Sequence, residues 1–239
     1  MITAVVLQAR LDSTRLPNKA LLPLRGVADE EPLVYRVMDA LRTVPCDLYV
    51  LACPPDCVSA FAPFAERAGF ELCAGSKEDV LARYCGAVRK FAIDRVIRAT
   101  GDNPFVFTDA AFMLNREART LNADYAGYAA LPYGAGVESV LAESLLRAER
   151  EASAGAEREH VCPYLYNHPE RFRLHRPLAP RVWQAPDMRL TVDTKEDYER
   201  AVALYRDLSL IRQEERFNGA SVVKAYETRY GVCAAHTGA

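Results

Sequence analysis

No two of the chain's seven cysteines form a Cys-x-x-Cys pair, and Cys46, Cys53, Cys57, Cys73, Cys85, Cys162 and Cys233 are odd in number and scattered. That spacing argues against a zinc knuckle or a thioredoxin-like redox site. It leaves buried, reduced thiols acting as small hydrophobes. A basic excess is missing too: 30 Lys and Arg face 32 Asp and Glu, a formal net charge of −2. A general nucleic-acid binder needs bulk positive charge to displace counterions from phosphates, so the charge balance argues against that class and any basic site must be local. No apolar run approaches the ~18 residues that would span a bilayer. The first apolar run, residues 2–7, is too short for a signal-peptide core and has no basic residue ahead of it, so a cytoplasmic protein is expected. Repeats and low-complexity linkers are also absent. The single tryptophan, Trp183, reads as core or edge packing.

What is present is ordinary in composition and regular in pattern. Half of the 239 residues are hydrophobic and 26% are charged, enough for one large α/β domain or two small ones. Short runs at 2–7 and 47–52 read as buried strands, with a third, shorter strand at 70–73 and a fourth at 94–99. Helical spacing fills the intervals: Leu33, Val34, Val37, Met38 and Leu41 behind Pro32, then 58–68 closed by Gly69, then a helix to Phe91 opened by Ser76 as cap. Strands alternating with helices at this spacing predict βαβ units and a mostly parallel sheet. Further helices are expected at 109–123, 143–151 and 198–208, and strands at 137–140, 173–177 and 189–191. Residues 159–166 are expected to be helical or mixed, and the tail from residue 231 frayed.

In an open parallel sheet, ligands collect where loops leave the carboxyl ends of strands. Three loops fit that position. Residues 8–19 carry Arg10, Arg15 and Lys19 with Asp12, Ser13 and Thr14, which suits a polyphosphate but equally a solvated surface loop. Residues 100–104, Thr100-Gly101-Asp102-Asn103-Pro104, offer a carboxylate that could hold Mg²⁺ against phosphate or simply shape a turn. Asp193 ends a short strand, as a helix N-cap or as a second carboxylate for the same metal. Gly75-Ser76 could bring backbone groups to a nucleobase edge or just open a helix. Glu138 follows a Gly-rich loop, where a substrate pocket is expected, and His160 is a lone histidine.

Together these segments resemble the cytidylyltransferases of the nucleotide-diphosphosugar-transferase superfamily. They are most similar to the spore-coat polysaccharide biosynthesis protein F family, relatives of the CMP-Kdo and CMP-sialate synthetases. The residues that carry the resemblance are Gln8-Ala9-Arg10-Leu11-Asp12-Ser13-Thr14-Arg15-Leu16-Pro17-Asn18-Lys19, Gly75-Ser76-Lys77-Glu78-Asp79-Val80-Leu81 and Arg98-Ala99-Thr100-Gly101-Asp102-Asn103-Pro104. Gly136-Val137-Glu138, Arg158-Glu159-His160-Val161-Cys162-Pro163-Tyr164 and Leu190-Thr191-Val192-Asp193-Thr194 follow in the family's order.

The resemblance implies a Rossmann-like three-layer α/β/α fold over residues 1–239. Residues 1–120 would be the nucleotide-binding half, and 121–230 the acceptor-sugar half with a homodimer contact. It implies transfer of CMP from CTP to a sugar acid with release of pyrophosphate, dependent on Mg²⁺. Arg10, Arg15 and Lys19 would hold the triphosphate and act catalytically. Gln8, Ala9, Ser13, Gly75, Ser76, Asp79, Thr100, Gly101 and Asp102 would line the nucleotide. Asp102 and Asp193 would hold the metal, and Glu138, His160 and Tyr164 would face the acceptor. The chain departs from the family in three places. Residues 105–110 (FVFTDA) lack the usual Asp-Pro, residues 27–31 are acidic and irregular, and Gly136 replaces a polar residue, which leaves the acceptor open. Two other functions fit less well: a glycosyltransferase on a related fold, which would carry a mid-chain Asp-x-Asp, and a silent nucleotide-binding subunit.

Overall fold

Strand β1 (Thr3–Gln8) is apolar on both faces, Val5 and Leu7 pointing to one side of the sheet and Ala4 and Val6 to the other, all fully buried. A strand with no solvated face belongs in the middle of a parallel sheet covered on both sides, and β1 lies there in the computed structural model, which describes residues 1–26, 30–153, 155–212 and 215–231.

A small antiparallel hairpin, β2 (Pro23–Arg25) and β3 (Glu30–Pro32), leads to α1 (Leu33–Leu41). Then come β4 (Leu48–Cys53), α2 (Val58–Ala68), β5 (Glu71–Ala74), α3 (Val80–Phe91), β6 (Arg95–Thr100) and α4 (Thr108–Thr120). The second half supplies β7 (Tyr125–Ala126), β8 (Glu138–Leu141), α5 (Ala142–Glu151), α6 (Gly155–His160), α7 (Pro163–Asn167), β9 (Leu174–His175), α8 (Lys195–Leu208) and α9 (Gly219–Tyr230). Among the described residues one sheet of seven strands runs β5-β4-β1-β6-β8-β7-β9, and β8 alone is antiparallel to its neighbours.

Helices α1, α2, α4, α8 and α9 cover the Val5–Leu7 side, and α3, α5 and α7 the other, giving the expected three-layer α/β/α arrangement. Parallel β1, β4, β5 and β6 end on one edge, so the loops after them share it. Helix α2 matches its expected bounds because Gly69, at φ 68°, closes it in the left-handed conformation that residues with a Cβ avoid.

Some elements differ from expectation, and the strand expected at 173–177 is reduced to β9. Residues 189–191 form no strand; Arg189 makes a single bridge to Tyr133. Helix α8 starts earlier, at Lys195, because Thr194 and Asp197 form a reciprocal capping box. Helix α9 has no counterpart in the sequence pattern, since its buried Gly219, Val222 and Val223 are too few to mark a stripe. The frayed tail expected past residue 231, the irregularity at 27–29 and Cys233 lie outside the described residues. Cys53, Cys57, Cys73, Cys85 and Cys162 are free and buried, and Cys46 is partly buried. Trp183 is buried against Tyr128. Among the described residues no helix is long and apolar enough to cross a membrane.

Candidate active site

At the end of β1 the chain is fastened before it turns. Ala9 N donates to Ala52 O at 3.3 Å, and Gln8 O accepts from Gly101 N at 2.7 Å. A Cβ on Gly101 would lie 2.9 Å from Ala9 Cβ, so only glycine lets the loops after β1 and β6 lie this close. The first loop folds back through Asn18, in a left-handed conformation, and delivers Lys19 on a short 3₁₀ turn. Lys19 Nζ then makes three contacts: Asp102 Oδ2 at 2.8 Å, Asp193 Oδ1 at 2.9 Å and Val192 O at 2.7 Å. Three hydrogens on the ammonium meet three acceptors from two segments distant in sequence. A backbone bond from Val192 N to Asp102 O, 2.8 Å, locks those two segments together.

Asp193 is the most heavily contacted carboxylate of the group. Besides Lys19 it accepts from Arg189 Nη2 at 2.6 Å and pairs with Arg15 at 3.2 Å. The α8 cap is Thr194, so Asp193 is free of the N-cap role that its position allowed. Burial pushes its carboxyl up, but Lys19, Arg15 and Arg189 together outweigh burial and hold it below its ordinary 3.8. A carboxyl depressed in the folded state contributes stability that is full above the unfolded pKa and lost as pH falls through the folded one. Acid unfolding below about pH 4 is therefore expected to be less steep in Asp193→Asn than in the parent. Denaturant titrations from neutral pH downward measure this, and parallel curves would remove Asp193 from the acid response. Arg10 and Arg15 are the solvent-facing part of the cluster, their side chains 49% and 63% exposed, with Arg10 3.7 Å from Asp12. Ser13, between them, is half-buried.

The loop after β5 is built from below. Ser76 is not the helix cap that its spacing suggested: its Oγ accepts from Asp79 N at 3.0 Å, while Asp79 Oδ1 accepts from Ala82 N at 2.9 Å and caps α3. Each side chain thus accepts from the amide three residues on, and the helix starts one turn later than expected, behind Asp79. Arg83, fully buried, donates from Nη1 to Ser76 O at 2.9 Å, and its side chain packs so closely that a Cβ on Gly75 would meet it at 2.7 Å. Arg158 holds Asp79 Oδ2 at 2.5 Å through Nη2 and also donates to Glu149 O and Ala152 O, joining α6 and the end of α5 to the start of α3. Lys77 bridges to Asp12 at 3.0 Å, linking this loop to the first. Thr100 Oγ1 accepts from Asn103 Nδ2 at 2.6 Å and braces the third loop.

The three residues expected at the acceptor fare differently. Glu138 is already engaged, Oε2 by Arg98 Nη1 at 2.5 Å and Oε1 by the Tyr125 hydroxyl at 2.8 Å. Burial works against the charge on Arg98, but Glu138, Tyr84 and Cys162 outweigh it and hold the guanidinium above its ordinary value. Tyr164 is turned elsewhere, its hydroxyl donating to Glu151 at 2.7 Å and accepting from Arg171 at 2.8 Å. Its ring sits in the core under α5, because position 164 on the short helix α7 faces that core. His160 is exposed at the end of α6.

A family profile described as cytidylyltransferase matches residues 4–221. The chain belongs to the cytidylyltransferase family. It is 34% identical over 204 residues to the spore coat polysaccharide biosynthesis protein SpsF of Bacillus subtilis, covering 84% of this chain and 85% of that protein. The solved cytidylyltransferase of Leptospira borgpetersenii shares the fold with a TM-score of 0.84 at 22% identity, over 95% of this chain and 94% of that one. A CMP:2-keto-3-deoxy-manno-octonic acid synthetase solved in complex with CTP gives 0.65 at 18% identity, over 85% and 98% of the two chains.

Within this cytidylyltransferase chain, motif reasoning gave no role to Arg83, Arg98, Arg158 or Arg189. Arg189 was within reach of the sequence, standing four residues before Asp193. Arg83 and Arg158 act through contacts between elements, which no local spacing reveals.

Proposed function

We propose that this chain transfers CMP from CTP to a hydroxyl of a sugar acid or related sugar, releasing pyrophosphate, as a step in surface polysaccharide biosynthesis. The observation that carries this is the convergence of Lys19, Asp102 and Asp193 at the shared carboxyl edge of β1 and β6. The acceptor oxygen attacks the α-phosphorus, the bond from that phosphorus to the bridging oxygen breaks, and pyrophosphate leaves with the bonding pair. The acceptor proton passes to solvent. Such a transfer asks little covalent chemistry of a protein and much charge neutralisation. Arg10 and Arg15, exposed on the loop after β1, are the cations that can reach the β- and γ-phosphates, with Lys19 beside them.

Asp102 and Asp193 are the residues that would hold Mg²⁺. They fit it in that both already lie around one cation, the Lys19 ammonium. Among the described residues no group of three or more His, Cys, Asp or Glu is arranged for a metal, so phosphate oxygens would complete the shell, as is usual for Mg²⁺. When bound, the ion supplies charge neutralisation to the α-phosphoryl and to departing pyrophosphate. Gly75, Ser76 and Asp79 border the base, and Ala9 and Gly101 let the nucleotide approach the backbone. We place the acceptor over residues 121–230, which also carry the proposed homodimer contact.

Pyrophosphate release tests this proposal. With Mg²⁺, each of CTP, UTP, GTP and ATP, and a panel of sugar acids and sugar phosphates, product is expected only with CTP and one acceptor class. Consumption of UDP-sugars without pyrophosphate would point to a glycosyltransferase, and nucleotide binding without turnover to a silent subunit; either result overturns the proposal.

A further inference from the structure

The Arg98–Glu138 pair has a second contact: Arg98 Nη2 donates to Gln8 Oε1 at 3.3 Å. A guanidinium only donates, so this contact decides which end of the Gln8 amide is which. Oε1 faces Arg98, and Nε2, with its two hydrogens, is the end left over. Nε2 has no partner among the described residues and is not one of the buried unpaired atoms, so it opens to solvent. Gln8 is the last residue of β1, lies opposite Thr100 in the β1–β6 register, and through its carbonyl holds Gly101, the neighbour of Asp102. Its free donor therefore opens at the same strand ends as the Lys19 cluster.

We propose that Gln8 Nε2 donates a hydrogen bond to a phosphate oxygen of the nucleotide, aimed there by a relay running from Tyr125 through Glu138 and Arg98. This rests on the chain being a working cytidylyltransferase. With Oε1 occupied, the amide can only donate, which suits a partner that only accepts. A non-bridging phosphate oxygen is such a partner, whereas a sugar hydroxyl also needs an acceptor. Being neutral, the amide adds a donor without repelling Arg10. Glu138 then becomes a positioning residue: its two oxygens hold Tyr125 and Arg98, and its effect on the substrate passes through Gln8.

Three variants test the relay, with wild-type pyrophosphate release measured first. Gln8→Leu is expected to lower kcat by about a hundredfold, the typical cost of one oxyanion donor, while KM for CTP moves by less than about threefold. Gln8→Glu keeps, and strengthens, the contact with Arg98, so its melting temperature is expected to equal or exceed that of the parent. It should lose turnover all the same, which separates the donor from any structural role. Glu138→Gln, which retains shape and an acceptor for Arg98, is expected to lose about tenfold in kcat alone and almost nothing when added to Gln8→Leu, since coupled residues are non-additive. A Gln8→Leu enzyme within about twofold of wild type, or an equal Glu138→Gln penalty in both backgrounds, overturns the relay. If wild type releases no pyrophosphate with any nucleotide, the cytidylyltransferase proposal fails on its own. The Gln8 side-chain amide resonances then judge the relay: movement on adding CTP and in Glu138→Gln supports it, and no movement in either overturns it.

Discussion

Lys19→Ala is expected to lose about a hundredfold or more in turnover, the scale of removing one preorganised charge from a site of developing negative charge, about 2.7–4 kcal/mol of barrier. The geometry adds a second consequence. Lys19 Nζ stands between Asp102 and Asp193, with its side chain only 12% exposed, and without it two carboxylates face one another with only Arg15 and Arg189 nearby. Like charges held close destabilise the folded state until something neutralises them. The variant should therefore melt lower than the parent at neutral pH and regain more stability than the parent does when Mg²⁺ is added. Calorimetric melts with and without the ion measure this independently of turnover. Near-normal turnover would take Lys19 out of the reaction, and an unchanged melt would show that the three-contact cluster contributes nothing to the fold.

Gly134→Ala should be nearly as damaging for a different reason. Gly134 has φ 94°, and a Cβ there would lie 2.6 Å from Thr191 N and 3.0 Å from Asn103 Oδ1. The backbone nitrogen of Thr191 cannot step aside as a flexible side chain would. It belongs to the segment that Tyr133 holds on both sides, accepting from Leu190 N at 2.8 Å and donating to Met188 O at 2.9 Å. Overpacking and a left-handed backbone together are expected to cost about 2–4 kcal/mol. Because the displaced segment leads into Asp193 and the other clashing atom is next to Asp102, turnover should fall as well. A denaturation midpoint within error of wild type would show that the loop yields without strain.

Much of this architecture could be read from the chain alone. The apolar runs that became β1 and β4 are buried on both faces, and unbroken runs of that kind are the plainest signal a parallel sheet gives, whereas β5, at the sheet edge, leaves Glu71 and Ala74 exposed and β6 carries Arg95 and Arg98. The strand-end loops were visible for the same reason, since each run stops abruptly in polar residues. Less legible was anything decided between elements. Ser76 and Asp79 both have the chemistry of a cap, and Arg158, brought in from α6, holds the carboxylate that caps. Tyr164 lies in a motif that pointed to the acceptor, yet α7 is so short that its facing depends on packing rather than periodicity. Helix α9 buries mainly small and β-branched residues and presented no stripe.

The reversed strand β8 has a consequence for how such a protein can change its acceptor. Running against β6, it enters the sheet at the edge where β1 and β6 end and leaves at the far one, and β7 runs out to that same edge, so the segment between them, residues 127–137, starts and ends beside the Lys19 cluster's loops. A clasp at the point of entrance, Glu138 to its register partner Arg98, sets the alignment of everything downstream. Side chains over 127–132 can be exchanged at constant length without sliding the strand behind them, whereas Tyr133 and Gly134 are held against Met188, Leu190 and Thr191. Under the proposed function this segment is a replaceable jaw on a fixed hinge pin, and swapping residues 127–132 between family members is expected to transfer acceptor preference while the Lys19 cluster stays as it is.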